Sequence, residues 1–137
     1  MRRVFVDTSA FFAHLVAEDR HHAAARALFE RAAHESWTLI TTNAVMWETY
    51  TLIRFRARNG RELSLGFLDD IQDGLCDLER VRPVDEARAM DLLRQYGDKS
   101  YSFCDALSFV VMEQLGLTDA FAFDSDFRTF GKIVLVS

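Results

Sequence analysis

Asp7, Glu48, Asp105 and Asp124 lie in four separate segments, each beside or inside an apolar stretch. A charged carboxylate in apolar surroundings is unfavourable unless something compensates it, so four acids in such places point to a shared cation. Two carboxylates about 4 Å apart repel by roughly 4 kcal/mol at an effective dielectric near 20, and a divalent ion removes that repulsion. Oxygen-only ligation suits Mg2+ or Mn2+, and the absence of His or Cys from the set argues against zinc. The chemistry implied is metal-dependent.

Each acid also has a plainer explanation. Asp7 follows the apolar run Val4-Phe5-Val6 and precedes a helical pattern, which fits a ligand at the carboxyl end of a strand and equally an N-cap. Glu48 is the only acid between Ser36 and Arg61, among neighbours that look core-facing, unless it sits on the polar edge of an amphipathic helix. Asp105 falls in the first turn of an almost wholly apolar helix, where Ser102-Phe103-Cys104-Asp105 also forms a capping box. The positive helix end favours an ionised Asp105 in either role. Asp124 follows Ala120-Phe121-Ala122-Phe123 and so is a second acid at a strand end, although Asp124-Ser125-Asp126 equally fits a turn with a helix cap, the reading preferred for Asp126. Taken singly each structural reading survives; taken together they require four coincidences.

The elements that must position these acids alternate between strand and helix. Strands are predicted at Arg3 to Val6, Trp37 to Thr41, Leu78 to Arg82, Ala120 to Phe123 and Ile133 to Val136. Helices are predicted at Thr8 to Ala17, Arg20 to Glu35 behind an Asp19 cap, Ala44 to Asn59 behind an Asn43 cap, and Arg61 to Cys76. Two more run from Asp85 to before Gly97 and from Phe103 to Leu115, closed by Gly116. This is the α/β class: a parallel sheet covered by helices on both faces, one domain over residues 1–137 without linker or repeat.

At 137 residues and 50% hydrophobic, the chain is long enough for a core without staples. Only three apolar residues separate Met1-Arg2-Arg3 from Asp7, and no apolar run approaches a membrane span, so a cytoplasmic protein without membrane association is expected. Cys76 and Cys104 read as small buried thiols in helical patterns, and His14, His21, His22 and His34 as helix-surface residues without a role. The net charge of −5 is uneven: residues 1–68 carry +2 and residues 69–137 carry −7. Arg54, Arg58 and Arg61 fall on one helical side, with Arg56 nearby, as either a phosphate-binding face or a solvated one.

The segments VFVDTSAFFA, NAVMWETYTL, SYSFCDALSF and AFAFDSDF, in this order, resemble the PIN-domain ribonucleases, especially the VapC-like toxins of toxin–antitoxin pairs. The resemblance implies a sheet of order 3-2-1-4-5 and an acidic site of Asp7, Glu48, Asp105 and Asp124, with Ser9 as a supporting hydroxyl. It further implies one or two Mg2+ or Mn2+ ions, hydrolysis of RNA, a cognate antitoxin as partner and a homodimer. Asp7 and Asp105 would be the principal ligands, Glu48 and Asp124 would complete the cluster directly or through waters, with Glu48 able to orient the attacking water, and Arg54, Arg58 and Arg61 would hold flanking phosphates or an antitoxin tail. Ala122 stands where the family often has Thr, which removes a hydroxyl beside the fourth acid. Two other readings are a PIN-like module that binds RNA or protein without cutting, and a Mg2+-dependent phosphatase or receiver. The latter is disfavoured because Asp7-Thr8-Ser9 lacks a second acid and Lys99 and Lys132 have no evident placement.

Overall fold

Val4, Phe5 and Val6 are fully buried although successive strand residues point to opposite faces, so β1 (Arg3–Val6) must be covered on both sides. In the computed structural model, which describes residues 1–130 and 134–136 without the side chains of Arg128 and Val134, β1 is the central strand. It pairs in parallel with β2 (Thr38–Thr42) on one side and β4 (Asp119–Phe121) on the other. β3 (Asp77–Glu79) lies outside β2 and β5 (Val134–Leu135) outside β4, giving the all-parallel order β3-β2-β1-β4-β5 expected from the resemblance. After β1 the chain winds outward through β2 and β3, then returns to β4 on the opposite flank. The carboxyl ends of β1 and β4 therefore border the switch-point crevice. Ile133, the expected first residue of the last strand, and Lys132 lie outside the described residues.

Seven helices connect the strands among the described residues: α1 (Thr8–Leu15), α2 (His22–His34), α3 (Asn43–Arg56), α4 (Gly60–Gln72), α5 (Pro83–Gln95), α6 (Phe103–Leu115) and α7 (Ser125–Thr129). None is long and apolar enough to cross a membrane. α6 is the innermost, with every residue from Asp105 to Met112 buried, and Gly116 closes it in the left-handed region at φ 68°. Rings of Phe11, Phe29, Phe67 and Phe121 pack in contact at one part of the core, and Phe5, Phe109 and Phe127 at another.

Several local expectations need correction. Thr42, not Asn43, caps α3 by accepting from Val45 N at 3.1 Å, because Asn43 is committed elsewhere: its Oδ1 accepts from Val81 N at 2.8 Å and ties α3 to the segment leaving β3. Asp19 turns the chain ahead of α2 by accepting from His21 N, so that helix starts at His22. α4 ends at Gln72, and Cys76 is buried in the connection to β3 rather than on a helix. α3 stops at Arg56, and α4 begins so close to it that a Cβ on Gly60 would stand 2.3 Å from the Arg54 carbonyl oxygen. Arg54 on α3, Arg58 in the bend and Arg61 on α4 therefore do not share one helical side. That spacing was helical in the sequence only if a single helix ran through the bend.

Candidate active site

The crevice between β1 and β4 is a cleft of about 380 Å3 lined by Asp7, Glu48, Asp105 and Asp124, so the four acids converge from β1's end, α3, α6 and β4's end. Asp7 is the N-cap of α1 and is 3% exposed; its Oδ2 accepts from Ser9 N at 3.2 Å and from Ser9 Oγ at 2.8 Å. Ser9 Oγ in turn accepts from Phe123 N at 2.9 Å. One hydroxyl thus joins the carboxylate after β1 to the backbone after β4, giving the expected supporting residue a definite job. Asp105 occupies the capping box: Ser102 Oγ accepts from Asp105 N and Asp105 Oδ2 accepts from Ser102 N, each at 3.0 Å. Capping leaves lone pairs free on both carboxylates, so a cap and a ligand do not exclude one another.

Asp124 turns out to be the turn residue, accepting from Asp126 N at 2.9 Å, a part the sequence reading had given to Asp126. Asp126 instead brings its carboxylate to the cluster. Ligand oxygens of Asp105, Asp124 and Asp126 lie within 4.8 Å of one another. Glu48 is half-buried, but its neighbour Trp47 is 60% exposed, so α3 presents fewer core-facing residues around Glu48 than its apolar composition implied. Cys104 is half-buried, with its thiol donating to Glu48. Burial, then the charges of Glu48, Asp7 and Asp105, push that thiol well above the ordinary range.

Burial raises the Asp7 carboxyl to about 7 against the pull of the Ser9 hydrogen bonds, and the charge of Asp105 adds to the rise. Burial likewise lifts Asp105 to about 6, with the Ser102 bonds opposing and the charges of Asp124 and Asp126 adding. Asp126 is raised by burial and by Asp124. A set of close, desolvated carboxylates that resist ionisation is what a divalent cation would relieve. Thr8 also lines this cleft, and its buried hydroxyl has no hydrogen-bond partner among the described residues. Oxygen donors throughout, and an unsatisfied hydroxyl beside them, fit a hard divalent ion with its waters.

Two cations line the same cleft, Arg20 and Arg56. Among the described residues neither makes an ion pair, although the acids are close by. Of the expected basic cluster only the neighbour, Arg56, lines the cleft; Arg54 is half-buried with its guanidinium 5.3 Å from the Phe55 ring, and Arg58 and Arg61 are exposed away from it. His21, assigned no role from sequence, lines the cleft and stacks on Phe123. His14 and His22 are half-buried, against Phe29 and the Ala13 carbonyl, and only His34 is an exposed helix residue. The available signal for His21 was the polar run Asp19-Arg20-His21-His22 between two helices. Nothing in it indicated that Phe123 lay opposite.

A five-stranded parallel sheet with acids gathered at its switch point defines an α/β protein built to hold a cation beside a phosphate-sized opening. The chain belongs to the PIN-domain family, whose model matches residues 4–133. It is 34% identical over 130 residues, 95% of each chain, to the 23S rRNA-specific endonuclease VapC20 of Mycobacterium tuberculosis. It is 28% identical to the VapC ribonuclease of Archaeoglobus fulgidus, over 93% of this chain and 81% of that one. The crystal structure of M. tuberculosis VapC20, described as a sarcin-ricin loop cleaving toxin, superposes with a TM-score of 0.85 at 33% identity, covering 93% of this chain and 95% of that one. Rickettsia felis VapBC2, bound to a DNA fragment from its promoter, shares the fold at a TM-score of 0.69 and 12% identity, covering 98% and 97%.

Proposed function

We propose that this protein is a divalent-metal-dependent endoribonuclease, the toxin of a VapBC-type toxin–antitoxin pair. The observation that carries the reading is the meeting of Asp7, Glu48, Asp105 and Asp124 in one cleft that also holds Arg20 and Arg56, neither of them in an ion pair among the described residues. Acids to bind a cation and guanidiniums to bind phosphate are the two halves of a phosphodiester site. The 34% identical relative is named for 23S rRNA, so structured ribosomal RNA is the substrate class we infer.

In this reading Asp7, Asp105 and Asp124 would hold one or two Mg2+ or Mn2+ ions, and Asp126, whose carboxylate lies with those of Asp105 and Asp124, would complete the set. A bound ion supplies Lewis acidity, lowering the pKa of water and offsetting charge on the phosphate oxygens. Glu48 orients the attacking water and accepts its proton. The water oxygen would form a bond to phosphorus as the P–O bond opposite it breaks, the bonding pair leaving with the departing ribose oxygen, which takes up a proton from solvent. Arg56 and Arg20 hold the phosphates on either side, while Arg54, Arg58 and Arg61 offer a basic surface to an acidic antitoxin segment. Ser9 keeps Asp7 and the Asp124 segment in register, a support that does not require a hydroxyl at Ala122.

Digestion of total RNA and of 23S rRNA in Mg2+, in Mn2+ and in EDTA, with cut ends mapped, tests this. Defined cuts are expected with either ion, none in EDTA, and none from Asp105→Asn with its fold intact. Binding of RNA without cleavage in both ions would replace the reading with a non-catalytic RNA-binding module.

A further inference from the structure

The rim of the cleft carries an aromatic pair that cation binding does not require. The His21 ring lies flat on Phe123, with centroids 4.5 Å apart and planes within 6°. Core aromatics such as Phe121, Phe29 and Phe11 are 8% exposed or less, whereas both members of this pair are half-buried and line the opening beside the acids. An aromatic pair left at an opening presents ring surface to whatever enters.

Both rings are held in place by the backbone. His21 N donates to Asp19 Oδ1 at 2.8 Å, and the His21 carbonyl oxygen accepts from Ala25 N at 2.9 Å. Phe123 N donates to Ser9 Oγ, the same hydroxyl that donates to Asp7, so the ring pair is indexed to the acidic cluster through one oxygen. Arg20 Nε donates to His21 Nε2 at 3.1 Å. This contact fixes the edge of the imidazole toward Arg20 and so helps set the plane of the ring. Arg20 keeps further N–H donors, and Arg56 lines the same cleft.

Resting on the nuclease reading, we propose that the His21–Phe123 pair is a stacking platform for one unpaired nucleobase of the RNA substrate, with Arg20 and Arg56 on the phosphates adjoining it. A paired base has both faces covered by its neighbours, so a platform at this position selects nucleotides splayed out of loops or bulges. His21 is then a positioning and specificity residue: it acts on where the scissile phosphate lies over the acids, and the bond-breaking step does not use it.

The test uses hairpin oligoribonucleotides, each with 2-aminopurine at one loop position. Binding is measured in an Asp105→Asn background so that the RNA stays whole, and cleavage is measured with Asp105 present. His21→Ala is expected to raise Kd and KM about tenfold to a hundredfold with little change in kcat, while His21→Phe, which keeps a flat ring, stays within about threefold. Aminopurine at one loop position should be quenched by the parent and not by His21→Ala. An abasic nucleotide there should weaken the parent by the same factor and leave His21→Ala unaffected. Circular dichroism and melting temperature confirm that the variants fold. Unchanged Kd and KM in His21→Ala, an undiminished quench, or no RNA binding by the parent overturns the platform. Quenching that depends on His21 without cleavage in Mg2+ or Mn2+ would leave the platform standing and remove the nuclease reading.

Discussion

Two helices begin with an aspartate at the same place, and the aspartates have opposite fates. Asp85 on α5 accepts from Arg82 N at 2.9 Å, and Asp105 on α6 accepts from Ser102 N at 3.0 Å; they are 1% and 7% exposed. Burial raises both. At Asp85 that rise is outweighed by the hydrogen bonds and charge of Arg82, whose Nη2 stands 3.2 Å from Oδ1, and the carboxyl ends below its ordinary value. At Asp105 the nearby charges are Asp124 and Asp126, and the carboxyl rises to about 6. The same local motif is a neutralised structural cap where a cation comes with it, and an uncompensated carboxylate where only anions do. Capping geometry alone does not separate the two; the side chains brought by other elements do.

The largest expected effect that would break this comparison is catalytic. Asp105→Asn should lower RNA cleavage by about a thousandfold or more, on the scale of removing one charge-stabilising group, while Asp85→Asn should leave the rate within about threefold. Rates on a mapped 23S rRNA fragment decide it, and equal losses would erase the distinction.

The next effect is the pH dependence of stability without metal. Asp7 and Asp105 have raised carboxyls, so the folded state binds more protons than the unfolded one between their ordinary value of 3.8 and about 7 and 6. Stability is then greatest at low pH and falls as pH rises through that window, on the order of 4 kcal/mol from Asp7 alone. Asp85 has the opposite sign: its contribution is present above 3.8 and is lost as pH falls through its lowered value. Denaturant titrations in EDTA from pH 4 to 8 should show the decline, and Mn2+ should reverse most of it at pH 8. A flat profile would mean that the cluster is not desolvated.

Smaller and still opposite in sign are the stabilities of two variants at pH 8 in EDTA. Asp105→Asn should stabilise by about 1–3 kcal/mol by removing a repelled charge, whereas Asp85→Asn, which keeps the cap's acceptor oxygen as Asp105→Asn does, should destabilise by about 1 kcal/mol through loss of its charge-assisted bonds to Arg82. Urea midpoints measure both. Ser9→Ala sharpens the contrast: it should cost about 1–2 kcal/mol and slow cleavage by about tenfold to a hundredfold, because its hydroxyl serves both Asp7 and Phe123.

The sequence alone settled what depends on near neighbours. Apolar runs three or four residues long marked three of the strands, Ser102 and Asp105 announced their capping box, and Gly116 its helix end, because pairing of period, cap and chain reversal acts over a few residues. The four acids were also legible, since a carboxylate beside an apolar run is unusual wherever the chain goes afterwards. Tertiary structure decided the rest. The α3–α4 bend at Gly60 took Arg54, Arg58 and Arg61 off a common face and left Arg56 at the cleft. The switch between β1 and β4 brought Phe123 onto His21 and Asp126 beside Asp105. Those contacts join residues far apart in the chain, and no local spacing encodes which distant side chain will arrive, or with what charge.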